Sequence, residues 1–143
     1  MEIKFRGKQV DSGKWYHGFY VRGRHDEHYI LSKYNGLATI AHSVEGDTLG
    51  VHLSCFDSFS KSGKEIFSGD IVRASYLIEH KEAYPVPRRV EKFEDVVCLV
   101  VHDELQFILK NPESPWSKEL RHAHGIEVIG NIHDNPELLE TAD

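Results

Sequence analysis

Polar and apolar residues alternate from the first residues of the chain. Ile3 and Phe5 fall on one side of an extended backbone, with Glu2, Lys4 and Arg6 on the other, the period-two pattern of a half-buried strand. Asp11-Ser12-Gly13-Lys14 is a turn signal, and the aromatic-rich residues 15–21 predict a second strand that opens a hairpin or meander. Alternation sends Trp15 and Phe19 one way and Tyr16 and Tyr20 the other. Both sets cannot face one core. Tyr16 and Tyr20 are therefore candidates for a surface or a self-interface, where amphipathic rings are favoured, against the plainer readings of a second core layer or simple exposure. Residues 29–31, 37–41 and 48–53 read as further short strands, separated by Asn35-Gly36 and Glu45-Gly46-Asp47 turns.

The middle of the chain repeats a tighter grammar. Lys61-Ser62-Gly63-Lys64 is a turn, 65–67 a short strand, Ser68-Gly69-Asp70 another turn, and 71–74 a β-branched strand. Gly69 permits a positive φ, and Asp70 can hold the bend by accepting backbone N–H groups. Gly63, Gly69, Asp70 and Gly130 are accordingly read as structural turn residues. Asp70 as a general base is the weaker reading, because a carboxylate held by backbone donors is a poor base at neutral pH.

Residues 75–84 continue the strand or make a helical turn, and Tyr84-Pro85-Val86-Pro87 excludes helix interior. The polar stretch 79–92 is expected to be an exposed loop. Residues 96–101 form an unbroken apolar run, which predicts a strand buried on both faces, with 105–109 as its partner after the Asp103-Glu104 turn. A short helix is expected at 117–122, a closing strand at 126–129, and a terminal helix over 135–140 with Asn135 as N-cap and Pro136 at its first position.

Four segments together resemble the YopX family of small phage and prophage proteins. They are residues 2–7, Trp15-Tyr16-His17-Gly18-Phe19, residues 63–72, and residues 127–139, and they occur in family order across nearly the whole chain. Members usually carry a stretch resembling G-Q-Y-T-G-L before the G-K-x-I-x-x-G-D segment. Residues 50–59 depart from it here. The resemblance implies a mainly β fold like an SH3-like small barrel, with additional N-terminal strands and a short C-terminal helix. The chain then divides as one YopX-like domain, with an N-terminal β subregion over 1–58, a barrel core over 59–133 and a helical tail over 134–143. The family carries no established biochemical activity, so the resemblance transfers no catalytic residue.

Composition narrows the rest. At 143 residues, 40% hydrophobic and 28% charged, the chain fits one globular domain or one core with a satellite. Its net charge of −6 argues against a default nucleic-acid binder, and Arg88-Arg89 with Lys92 is the densest basic stretch. Nothing reads as a signal peptide or a membrane span, so a cytoplasmic protein is expected. Cys55 and Cys98 sit in apolar surroundings and read as buried free thiols. His25 with His28, and His122 with His124, offer zinc-type donors without metal-site spacing, and no metal or cofactor is expected. Glu94-Asp95 and Asp103-Glu104 point to opposite faces of a strand, and Cys55 with His52 lacks a helix to bring it together, so no acid–base or nucleophilic pair emerges. These readings converge on a non-enzymatic module that binds a host or phage protein, or itself. The alternative is a nucleic-acid-associated accessory protein working through Arg88 and Arg89.

Overall fold

A computed structural model describes residues 3–34, 38–53, 65–80, 89–103, 106–112, 117–119 and 123–140. The chain divides into two compact units, Met1–Asp57 and Ser58–Asp143. Asn35, Gly36, Cys55, Gly63, Arg88 and His122 lie outside the described residues.

The N-terminal unit is an antiparallel sheet. Its strands are β1 (Ile3–Lys8), β2 (Trp15–Arg22), β3 (His28–Tyr34), β4 (Ala38–Val44) and β5 (Gly50–Leu53), in the order β4-β3-β2-β1-β5. The Glu45-Gly46-Asp47 turn becomes a 3-10 turn over Gly46–Thr48. Alternation along β2 is as the sequence predicts, and of the two senses left open the tyrosines take the inner one. Tyr16 and Tyr20 are half-buried on the inner face, while His17, Phe19 and Val21 are exposed. Ile30 and Val44 are the buried apolar residues of that inner face.

The sheet curls. Gln9 and Val44 form a single backbone bridge, the Glu45 N–H donates to the Lys8 carbonyl at 2.9 Å, and the Lys8 N–H donates to Thr48 Oγ1 at 2.9 Å. These contacts bring the end of β4 back onto the end of β1. One bridge is not a ladder: the rest of that side of β1 pairs with β5, and among the described residues no ladder joins the edge strands β4 and β5.

The C-terminal unit holds β6 (Asp70–His80), β7 (Arg89–Asp103), β8 (Gln106–Lys110), β9 (Ser117–Glu119) and β10 (His124–Asn131), in the order β10-β6-β7-β8-β9. Its core gathers Ile71, Val72, Tyr76, Cys98, Val100 and Leu109. The apolar run 96–101 is not buried on both faces. Cys98 and Val100 are buried, whereas Val97, Leu99 and Val101 are half-buried, so one face of β7 carries most of the burial.

Gly69 has a φ of +91°, in the region open chiefly to glycine. The Phe67 N–H donates to Asp70 Oδ2 at 2.8 Å, the Asp70 N–H returns to the Phe67 carbonyl at 3.1 Å, and Asp70 is buried. Residues 65–67 are not the expected strand. Glu65 makes one bridge, and Ile66 and Phe67 run irregularly into the core.

Three further expectations are corrected. The stretch 79–92 is not all loop: β6 runs to His80 and β7 starts at Arg89, with Glu79 opposite Val90 and His80 opposite Arg89. The polar composition of the stretch does not prevent residues 76–80 and 89–93 from pairing. Of the expected 117–122 helix, residues 117–119 form β9, paired with β8. The terminal helix is a 3-10 turn over Pro136–Leu139, and Asn135 gives it no side-chain cap. Instead Asn135 Oδ1 accepts from the Asn131 N–H at 3.4 Å, and Asn131 Oδ1 accepts from the His133 and Asp134 N–H groups, which uses the polar residues for the bend before the helical turn.

Candidate interaction surface

Residues directly opposite one another in an antiparallel pair share a face. In the N-terminal unit the register aligns Phe19 with Leu31 and Leu31 with Ala41, then Val21 with Tyr29 and Tyr29 with Ser43. These six residues form two rows across the outer face of β2, β3 and β4. Phe19 is 56% exposed and Val21 43%, Ala41 and Ser43 are exposed, and Leu31 and Tyr29 are half-buried between them. Glu27 Oε2 accepts from the Tyr29 hydroxyl at 2.7 Å, and that hydrogen bond to the carboxylate raises the phenol above its ordinary pKa.

The inner face carries a different chemistry. Tyr16 stacks on His42 with ring centroids 3.6 Å apart, and Ser32 Oγ shares a hydrogen bond of 2.9 Å with His42 Nε2. Tyr20 packs against Phe5 and shares a 2.6 Å hydrogen bond between its hydroxyl and His28 Nδ1. A hydroxyl within reach of an imidazole is the beginning of a nucleophile–base pair. Here, however, the Tyr16 ring covers one side of the imidazole, and the neighbouring Ile30 is fully buried. The arrangement packs the inside of the curl. Sequence reasoning missed it because Ser32, His42 and Tyr16 sit on three different strands.

The other sequence-derived residues distribute as follows. Arg89 lies at the last described pair of a two-stranded ribbon formed by residues 76–80 of β6 and 89–93 of β7. Among the described residues β10 flanks β6 only up to Ser75, and β8 flanks β7 only from Leu99 onward. Leu77 and Val90 are exposed on this ribbon, and Tyr76 stacks on Phe93 at its base. The ribbon leaves the sheet at a bulge where Asp95 has a φ of +49° and its N–H donates to Ser75 Oγ at 3.1 Å. Gly130 is not in a turn: it lies within β10 beside a register shift, against Asn135 and Leu138.

His25 sits in an exposed turn, apart from the Tyr20–His28 pair, and His124 is exposed at the start of β10. Among the described residues no group of three His, Cys, Asp or Glu is arranged to hold a metal ion. Cys98 is fully buried, which pushes its thiol up to about 11, and Tyr76 beside it is raised to about 12, chiefly by burial. A thiol so protonated is inert at neutral pH. Arg6 and His52 are buried on the outer side of β1 and β5, with the Arg6 guanidinium 5.0 Å from the centre of the Trp15 ring. Sequence alone gives no signal for that burial, since Arg6 sits at a polar position of an alternating strand.

Among the described residues no helix is long and apolar enough to cross a membrane. No curated protein and no solved structure matches the chain. The model of the YopX protein family matches residues 4–140, so the order of the quoted segments reflects descent along nearly the whole length, and the chain belongs to the YopX family.

Proposed function

We propose that this chain is a non-enzymatic accessory protein of phage or prophage, acting in the cytoplasm of a bacterial host, that works by binding a protein partner or another copy of itself. The observation that supports it is the outer face of β2, β3 and β4. It places Phe19 and Val21 side by side in solvent, while polar tyrosine–histidine pairs occupy the inner face. An exposed apolar group of this kind is the usual mark of an interaction site. The SH3-like barrel that the resemblance implies over residues 59–133 is part of the same reading, and the five-stranded antiparallel sheet β10-β6-β7-β8-β9 supports it. The test is affinity capture of the tagged full chain from phage-infected cells, comparing the wild type with Phe19→Ala by quantitative mass spectrometry. A specific protein recovered by the wild type and lost with the variant is expected. Equal background in both overturns the reading.

A second reading, nucleic-acid association, draws support from the ribbon. Residues 80–92 hold four Lys and Arg against two Glu, within a unit where 16 acidic residues face 10 basic ones. Of these, Arg89 and Lys92 are described and lie on the ribbon, and a two-stranded ribbon is of a size that enters a major groove. Salt-dependent retention on DNA or RNA, abolished by Arg88→Ala with Arg89→Ala, is its expected signature. No retention at low salt ends it.

A further inference from the structure

The two units share one strand order. In the N-terminal unit β1 to β4 lie side by side in sequence and β5 returns to the other side of β1, giving β4-β3-β2-β1-β5. In the C-terminal unit β6 to β9 lie side by side and β10 returns to the other side of β6, giving β9-β8-β7-β6-β10. All of these pairings are antiparallel. We infer that the two units are copies of one five-stranded unit, and that the ribbon is an addition to the second copy where the first has a tight turn. The inference depends on neither binding reading.

Register is a stricter match than order. Phe5 lies between Gly18 and Val51, and Val72 lies between Cys98 and Val128. Counting on two residues matches Tyr20 with Val100, and their partners on the third strands are Ile30 and Leu109. On the fifth strands Gly50 is opposite Arg6 and Glu127 is opposite Arg73. Within these stretches no residue has to be inserted. Arg6 and Arg73, Val21 and Val101, and Val51 and Val128 keep the same residue at matched positions.

The faces agree too. Gly7 and Ala74 are both buried, as are Ile30 and Leu109, and half-buried Phe5, Gly18 and Tyr20 stand where Val72, Cys98 and Val100 are buried. A match displaced by one residue would reverse these faces. On the opposite face the copies have diverged, with Ile71 and Ile108 buried where Lys4 and Tyr29 are half-buried. The Lys8 carbonyl accepts from the Glu45 N–H on the edge of β1 away from β2, and the Gly69 carbonyl accepts from the Ile132 N–H on the edge of β6 away from β7. Lys8 matches Ser75, an even number of residues from Gly69, so the two carbonyls take the same edge. Once the inward face is set, the chirality of an L-residue decides that edge, and the two sheets have one hand.

The match breaks at one place. Lys8 pairs with Trp15 at the end of the first hairpin, and their counterparts Ser75 and Asp95 are joined by the Asp95 N–H donating to Ser75 Oγ. Between those positions the N-terminal unit has the six residues 9–14, and the C-terminal unit has the nineteen of 76–94. Tyr76 is buried at the base of this ribbon and belongs to the core, whereas Leu77 and Val90 beyond it are exposed.

The test removes the addition. In the full chain Asn-Gly replaces residues 78–91, which closes the hairpin at the Leu77–Lys92 pair and keeps the Tyr76–Phe93 stack. Amide exchange at Val72 and Cys98 should stay protected to within about a hundredfold of the wild type. A larger loss means that the unit needs the ribbon, and overturns the proposal. The NMR structure of the same variant should lay Phe5, Gly18, Ile30 and Val51 over Val72, Cys98, Leu109 and Val128 with the same hand. A match displaced by one residue, or the opposite hand, overturns the common origin of the two units.

Discussion

Replacing Asp70 by Ala should cost about 2–4 kcal/mol, and the corner it holds shows why. The side chain is 2% exposed and accepts the Phe67 N–H at 2.8 Å, while Gly69 beside it sits at φ +91°. A hydrogen bond to a charged acceptor contributes about 1.5–3 kcal/mol, and the buried Phe67 donor would lose this acceptor with no solvent to replace it. Asp70→Asn keeps an acceptor and loses the charge assistance, so it should cost about half as much. Gly69→Ala should cost about 1–2 kcal/mol from backbone strain alone. Because both residues hold one bend, the double variant should cost less than the sum by more than about 0.5 kcal/mol. Urea denaturation of the full chain, followed by amide exchange along β6, measures these terms within the C-terminal unit. Against a total of about 5–15 kcal/mol for an ordinary domain, the Asp70→Ala loss is easily read. Two results refute the reasoning: an Asp70→Ala cost under about 0.5 kcal/mol, or strict additivity with Gly69→Ala, which would mean the carboxylate does not pin that bend.

Other predictions follow from single features of the C-terminal unit. At the ribbon bulge Asp95 has a φ of +49°, so Asp95→Val should be less stable than Asp95→Gly by about 1–2 kcal/mol in thermal denaturation. A Cβ on Gly130 would lie 2.7 Å from Asn135 Oδ1 and 2.8 Å from Leu138 Cδ1, so Gly130→Ala should push away the terminal 3-10 turn, speeding amide exchange at Leu138 at a cost of about 1–3 kcal/mol. The buried Cys98 thiol, raised to about 11, keeps its proton in the folded state after the unfolded chain has released its own near pH 9. Its contribution is complete below pH 9 and is lost as pH rises through 11, a fall of about 2–3 kcal/mol in urea titrations that Cys98→Ala should flatten.

Local residue chemistry made much of this fold legible. Alternation at Ile3 and Phe5 and along 15–21 gave the first two strands, because a half-buried strand writes its geometry directly into sequence. Gly69 and Asp70 were equally readable, since a positive φ and a short acceptor are needs of single residues. Three features were not. The sense of β2, Tyr16 in and Phe19 out, depends on what β4 brings over it, and His42 is 26 residues away. The pairing of 76–80 with 89–93 joins consecutive strands through charge-rich sequence, which composition reads as loop. The 3-10 ending follows from Asn131 and Asn135 spending their side chains on the preceding bend.

The sense of β2 bears on function. Burying a phenylalanine side chain contributes about 1.5–3 kcal/mol over leaving it in water. The inner face instead holds Tyr20 hydrogen-bonded to His28, Ser32 hydrogen-bonded to His42, and Tyr16 stacked on His42, so enclosed polar groups there find partners in one another. A one-residue slip in the register of β2 would turn Phe19 and Val21 inward and the tyrosines outward. The Tyr16–His42 stack and the Tyr20–His28 hydrogen bond oppose that slip, because each is made only in the observed register. The polar pairs inside thus fix which apolar residues remain outside. A surface held in place in this way, at the expense of burial that a shifted register would gain, is more readily explained as a contact kept available than as a core left incomplete.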